Sequence, residues 1–295
     1  IDNEYFLLAL QALYSFGETE PIQTNTTNLR NLNFNDYLDL EIPIPELAEQ
    51  KQIVSKIKEC FNYLDKAEEK LDQLEKRNNN LLKSFLHKVY LRNINAYRSI
   101  TLKDACSRIT DGSHFSPKTT NSGYPYITVK DIDENGHIDF ENCKKISEEN
   151  FENLAKLGCK PKLGDVLFSK DGTVGKVARI GHYQEFVVLS SLAIITPNKD
   201  IITDKFLELL LNTPEILNQA IKKKTGTAIR RITLTNLKQI TIPIPPTDVQ
   251  QEQYKRYSEY KEILETNKDL LSQDRTNIKL LHQSILKKAF EGKLI

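Results

Sequence analysis

From residue 46 to about residue 92, apolar side chains return every three or four positions, and neither Gly nor Pro interrupts them. Placing Ile57, Leu64, Leu71, Asn78 and Phe85 at heptad position a puts Ile53, Cys60, Ala67, Leu74 and Leu81 at d. A seam this long, in a segment rich in Glu, Lys, Leu and Gln, predicts a coiled-coil helix. Between Pro246 and Phe290 the a positions recur as Tyr257, Leu264, Leu271, Ile278 and Ile285. Here the d positions Tyr260, Asn267, Asp274 and Leu281 are weaker, with Ile263 and Leu270 widening the stripe. A helix of about 45 residues spans roughly 68 Å, more than a compact domain needs. The two helices are therefore expected to pair antiparallel, with Asn78, Asn267 and Asp274 fixing register and direction at some cost in stability. The alternative is a solvated charged helix lying on a domain surface.

The second feature is a repeat at an offset of 200 residues. Ile42-Pro43-Ile44-Pro45 returns as Ile242-Pro243-Ile244-Pro245, Gln50 as Gln250, Leu64 as Leu264 and Gln73 as Gln273. Ser84-Phe85-Leu86-His87-Lys88 matches Ser284-Ile285-Leu286-Lys287-Lys288, and upstream Phe6-Leu7 matches Phe206-Leu207, Thr27 matches Thr227 and Arg30 matches Arg230. The chain thus reads as about one and a half copies of a unit made of a globular part followed by a helix. It opens on Ile1 and contains no Met, so residue 1 is read as a cut.

Between the helices the pattern is mixed. Short β-branched or aromatic runs at 124–129, 165–169, 174–180, 186–189 and 192–196 predict strands, and 148–157, 204–211 and 214–223 predict helices. The fold class expected is α+β, with a mixed α/β globular part joined to the long antiparallel helix pair and a pseudo-twofold internal repeat. At 295 residues two units are expected. Mean hydropathy is −0.47 and no apolar run approaches a membrane span. No basic-then-apolar leader is visible, and the four cysteines form no CxxC pair, so a cytoplasmic chain with free thiols and no membrane partner is expected.

Net charge is only +1, but charge is uneven. Residues 131–152 hold eight acids against two lysines, 156–179 hold six bases against two acids, and 222–231 hold five bases and no acid. Bases among Gly and Thr suit phosphate contact, because small residues let backbone N–H groups approach a nucleic acid. Catalytic signatures are missing. Gly172-Thr173-Val174-Gly175-Lys176 lacks P-loop spacing, and Val177 stands where a Mg²⁺-binding hydroxyl belongs. The histidines His87, His114, His137, His182 and His282 have no metal-ligand spacing, and Gly292 reads as a helix cap. There is no GxSxG elbow, no GxG cofactor loop and no adenine-methyltransferase tetrapeptide. The chain is expected to be no enzyme.

A Thr-rich basic loop, an Ile-Pro-Ile-Pro strand, a following Gln and a long helix, each occurring twice, resemble the specificity (S) subunit of type I restriction–modification systems. So do Asp111-Gly112-Ser113-His114, the run from Gly164 to Lys176, and the run from Thr225 to Ile232, which are similar to that family's target-recognition signatures. Pro246-Thr247-Asp248-Val249-Gln250 departs from the family's usual acidic-Gln pair, which Glu49-Gln50 keeps. The resemblance implies residues 1–45 as the C-terminal remnant of a first target-recognition domain and 46–97 as the first coiled-coil helix. It implies 98–245 as the second target-recognition domain and 246–295 as the second helix.

It further implies a non-catalytic subunit that binds double-stranded DNA, each recognition domain reading half of a split target while the helix pair sets the spacing. Partners would be DNA methyltransferase (M) subunits and a restriction/translocase (R) subunit. S-adenosylmethionine, ATP and Mg²⁺ would belong to those partners, with no cofactor in this chain. DNA contacts are expected from His114, Ser116 and Lys118 in one loop, Lys170, Thr173 and Lys176 in a second, and Lys224, Thr225, Thr227, Arg230 and Arg231 in a third. Thr27 and Arg30 are the counterparts in the partial first copy. Arg230 or Arg231 suits bidentate guanine contact and Lys170 or Lys176 suits phosphate. The rivals are a non-catalytic coiled-coil adaptor that binds protein, and the specificity subunit of a related multisubunit DNA-modification system.

Overall fold

A computed structural model describes residues 1–26, 29–222 and 232–294. In chain order the elements are α1 (Asn3–Ser15), β1 (Gln23–Thr26), β2 (Leu29–Leu32), α2 (Phe34–Leu38), α3 (Leu47–Ala96), β3 (Ser99–Thr101), α4 (Leu102–Ala105), β4 (Cys106–Asp111), β5 (Thr119–Thr120), β6 (Tyr124–Ile127), β7 (Lys144–Ile146), α5 (Glu148–Lys156), β8 (Val166–Ser169), β9 (Val177–Arg179), β10 (Val187–Val188), β11 (Leu192–Pro197), α6 (Asp204–Leu211), α7 (Pro214–Lys222), α8 (Leu234–Lys238), β12 (Thr241–Pro243) and α9 (Thr247–Phe290). Two compact units result, one of Ile1–Asn79 with Leu264–Ile295, the other of Asn80–Ile263. The division falls inside α3 and α9, so each unit contains a stretch of both long helices.

In the second unit the sheet β4-β11-β8-β9 is buried on both faces. Side chains alternate along a strand, so Val166 and Phe168 join Ile109, Ala193 and Ile195 against α4, α6, α7 and α8. Leu167, Ala178, Leu192 and Ile194 face the other way, against Ile127, Phe186 and Val188. A second sheet, β10-β6-β7-β5, carries α5 on Phe151 and Leu154. Strand β4 was not among the expected strands, because Cys106-Ser107-Arg108 carries little apolar signal. Its ladder with β11 creates it. Burial there pushes the Cys106 thiol up to about 12, leaving it a neutral core group at physiological pH. None of the four cysteines is in a disulfide.

The 200-residue repeat is structural as well as textual. Helices α2 and α8 start at Phe34 and Leu234, α3 and α9 at Leu47 and Thr247, and Asn33 and Thr233 cap the shorter pair. Gln50 accepts from Asp2 N–H at 2.8 Å and donates to the Pro45 carbonyl at 2.7 Å. Gln250 accepts from Thr203 N–H at 2.9 Å and donates to the Pro245 and Ile201 carbonyls at 2.9 and 3.0 Å. Each glutamine clamps the start of a long helix to the cap of an earlier one, α1 or α6.

Two repeat expectations need correction. Ile42 to Pro45 is not a strand, whereas Thr241–Pro243 pairs with β3. Among the described residues upstream of Ile42 no strand pairs with this segment, and a strand exists only by pairing. Phe6, Leu7, Leu32 and Phe34 are exposed, while Phe206, Leu207 and Ile232 are buried against the second unit's sheet. The described residues of the first unit contain no such sheet, only the β1–β2 hairpin.

Within each unit the long helices run antiparallel. Phe61 and His282 rings lie 4.5 Å apart and Arg275 reaches Asp72 and Glu75 at 2.7 and 3.0 Å in the first unit. In the second, Phe85 stacks on Tyr260 at 5.1 Å. Ile57, Leu71, Tyr257 and Ile278 are buried, and Leu64, Asn78, Phe85, Leu264, Leu271 and Ile285 are half-buried. The d positions Leu74, Leu81 and Leu281 are exposed, as are Ile263 and Leu270. The inward positions become Asn78, Leu82, Phe85 and Val89 on α3 and Leu271, Arg275, Ile278 and His282 on α9. At 3.6 residues per turn a helix drifts about 20° per heptad against a 3.5 repeat, so the contact face moves from d to e.

The buried polar pair of the second unit's helices also differs from expectation. Asp274 is exposed and Asn78 and Asn267 only half-buried, whereas Asn93 and Gln253 are buried and exchange amide hydrogen bonds at 2.7 and 3.0 Å. Asn93→Leu is expected to cost about 2 kcal/mol, because Gln253 is left unpaired. Adding Gln253→Leu should recover part of that loss, and urea unfolding of the two single variants and the double variant checks it. Strictly additive losses would show the amides are not coupled.

Candidate nucleic-acid interface

Three expected loops lie in the second unit, and its sheets bring together what is described of them. The first follows β4: Gly112 N–H donates to Leu192 O at 3.1 Å and Ser113 N–H to Val188 O at 2.7 Å. The second joins β8 to β9. Its buried Ser169 hydroxyl donates to Thr173 O at 2.6 Å and accepts from Lys176 N–H at 2.7 Å, which closes the loop on itself. Gly172 and Gly175 supply the left-handed backbone this requires, with φ of 69° and 100°. The hairpin is antiparallel and no helix follows it, so it has neither the helix N-terminus nor the spacing of a P-loop. The third expected loop ends at Ile232, whose N–H donates to Lys170 O at 2.9 Å. Lys170 Nζ in turn sits 3.2 Å from Asp111 at the base of the first loop.

His114, Ser116, Lys118 and Thr173 are exposed. His114 Nε2 lies 3.2 Å from Asp111 Oδ2. Lys170 and Lys176 are different. The Lys170 side chain is 6% exposed and has Asp111 and Asp171 carboxylates at 3.2 and 3.4 Å. Lys176 donates to the Ile132 carbonyl and sits 3.7 Å from Glu134. Both cations thus already have partners within the protein: two carboxylates neutralise the buried Lys170 ammonium, and a carbonyl and one carboxylate meet Lys176. Lys224, Thr225, Thr227, Arg230, Arg231 and Thr27 lie outside the described residues. Arg30 stands in β2 opposite Asn25.

Two further bases of the stretch 156–179 are compensated in the same way. Lys160 meets Glu185 at 2.5 Å, and Arg179 meets Glu208 and Asp204 at 2.9 and 3.2 Å. Tyr254 donates to Glu208 at 3.1 Å, and burial followed by that carboxylate pushes its phenol up. The acids that neutralise these bases come mostly from distant segments, so counting charge along the chain overstated the cationic surface. Asp111 and Ser169, which stand inside the two runs that resemble target-recognition signatures, carry structural roles that composition did not reveal.

The histidines have local partners. His87 contacts Glu215, His137 lies 3.2 Å from Asp133, His182 packs edge-on to Phe140 and His282 against Phe61. Among the described residues no group of His, Cys, Asp and Glu is arranged to hold a metal ion, and no helix is long and apolar enough to cross a membrane.

Residues 97–273 match the family described as the type I restriction modification DNA specificity domain. The chain is 23% identical to the type I restriction enzyme EcoBI specificity subunit of Escherichia coli, over 94% of this chain and 64% of that protein. It is 22% identical to the EcoKI specificity subunit of Escherichia coli strain K12, over 90% of this chain and 60% of that protein. The chain thus spans less than two thirds of the length of these curated relatives. In fold it is similar to a chain of a solved structure on complex assembly and conformational transition of the type I R-M system, with a TM-score of 0.76 and 20% identity over 98% of this chain and 71% of that one. The HsdS subunit from Thermoanaerobacter tengcongensis gives 0.55 and 19% over 99% and 71%.

Proposed function

Because this chain belongs to the type I restriction–modification DNA specificity family, we propose that it is part of a non-catalytic specificity subunit that reads one half of a split duplex target with its second unit. The observation that carries this reading is the meeting of the first two loops, joined by the Lys170–Asp111 pair and by Ile232 N–H on Lys170 O, with His114, Ser116, Lys118 and Thr173 exposed on them. Arg230 and Arg231 remain the proposed bidentate readers of guanine, and Lys118 a phosphate contact. In the whole protein a recognition body equivalent to residues 99–200 would cover the exposed Phe6, Leu7 and Phe34 and read the other half-site. The repeated glutamine clamps support this, since the same joint attaches a helix to each copy.

Paired helices make a rigid spacer, and their length sets half-site separation geometrically. The partners are duplex DNA, methyltransferase subunits and a restriction/translocase subunit. Those subunits supply S-adenosylmethionine, ATP and Mg²⁺ chemistry. Deleting one heptad from both α3 and α9 is expected to change the preferred spacer while leaving the half-site sequences intact, as read by methylome sequencing of a host carrying the full gene. An unchanged spacer would reject the ruler, and no methylation by the unaltered gene would favour a protein-binding adaptor.

A further inference from the structure

One aromatic ring in the second unit is placed against the logic of a core. Phe115 is 64% exposed and belongs to none of that unit's hydrophobic clusters. A single exposed apolar residue is ordinary, but the backbone of this one is pinned. The buried Ser113 hydroxyl donates to Phe115 O at 2.6 Å and accepts from Phe115 N–H at 3.1 Å. The buried Tyr126 hydroxyl donates to the same carbonyl at 3.2 Å. Ser113 is itself held by Val188 O and by Ser190 N–H at 2.7 and 2.9 Å. Gly112 before it has no room for a side chain, since an added Cβ would lie 2.3 Å from Val188 O. Pro117 after it is buried and has a fixed φ.

The loop therefore spends three side-chain hydrogen bonds, two of them from buried groups, on presenting a ring to solvent. With its backbone pinned, this position has only the side-chain torsions of the ring left to lose on contact, which favours a tight and selective one. Its flanks decide the kind of partner. His114, Ser116 and Lys118 are exposed and polar, so within its own loop the exposed ring stands among donors and a cation. A protein-docking patch would be contiguous and apolar. A duplex offers an apolar feature surrounded by acceptors and phosphates: a thymine methyl in the major groove, or a base step open to a wedge.

We propose that Phe115 is a specificity-determining residue of the second unit, its ring making the apolar contact to a base of the half-site while Lys118 holds the adjoining phosphate. The proposal rests on the DNA-reading function above, and its test separates the two. The full-length protein, assembled with its methyltransferase subunits, is presented with a randomised duplex library, and bound sequences are read for the unaltered protein, Phe115→Ala, Phe115→Leu and Lys118→Ala.

The expected result is that F115A loses about tenfold or more of its discrimination at one base pair or one step, with F115L intermediate and thermal melting unchanged. K118A should weaken all sequences alike and reduce the salt slope by about one. Uracil in place of thymine at the affected position reproduces the F115A loss if the ring reads the methyl; if it does not, the ring is a wedge. An unchanged sequence preference in F115A, with or without weaker methyltransferase binding, overturns the proposal. Failure of the unaltered protein to enrich any sequence would instead overturn the DNA-reading function itself.

Discussion

Replacing Lys170 with Met is expected to lower the unfolding free energy by about 3 kcal/mol, with the urea midpoint falling and the denaturant slope unchanged. The lysine is buried, with Asp111 and Asp171 carboxylates at 3.2 and 3.4 Å, and both acids are themselves largely shielded. Met matches the aliphatic stem but leaves two carboxylates without their cation in a region of low dielectric, and that residual charge accounts for most of the loss. Adding Asp111→Asn should therefore restore part of the stability. Lys118→Met, at an exposed position, should stay within about 0.5 kcal/mol of the unaltered protein. The opposite outcome, full stability in K170M with a flatter salt dependence of DNA binding, would return Lys170 to the role of a phosphate contact.

Gln250→Leu should cost a similar amount, about 3 kcal/mol, for a different reason. The leucine fills the space but leaves the Thr203 N–H and the Ile201 and Pro245 carbonyls without their partner, and each shielded group left unpaired costs on the order of 1–3 kcal/mol before relaxation. Hydrogen exchange locates the damage: the Thr203 amide should lose protection ahead of the sheet, because the clamp ties the cap of α6 to the first turn of α9. If that amide stays protected while the protein melts earlier, the glutamine acts through packing alone. Gln50→Leu should expose the Asp2 amide in the first unit in the same way.

The long helices and the mixed globular part were legible because their signals are local and repeated. Seam residues such as Ile57 and Leu71 follow a helical period, and strands such as Val166–Ser169 and Leu192–Pro197 are mostly apolar because their sheet is covered on both faces. Strand β4 was not legible, since Cys106-Ser107-Arg108 becomes a strand only beside β11. The exposed Leu74 and Leu81 mark the limit of heptad counting, which assumes a supercoil from end to end.

For the candidate interface, the loops were legible but the state of their charges was not. Lys118 and Lys170 are the same residue type in similar Gly/Ser/Thr-rich company, yet one is solvated and the other is neutralised by an acid some sixty positions earlier. Phe115 reads as an ordinary apolar residue until Ser113 and Tyr126 are seen to pin its backbone.

By itself the sequence determined the repeat, the helix period, the Gly292 helix end and the absence of catalytic spacing, because each of these is written in neighbours a few residues apart or in a copied segment. Tertiary structure alone decided which cations are free, which amides meet across the helices and which ring is left in water. Those depend on pairs such as Asn93 with Gln253 and Asp111 with Lys170, whose members are far apart in the chain and meet only when sheets and helices pack.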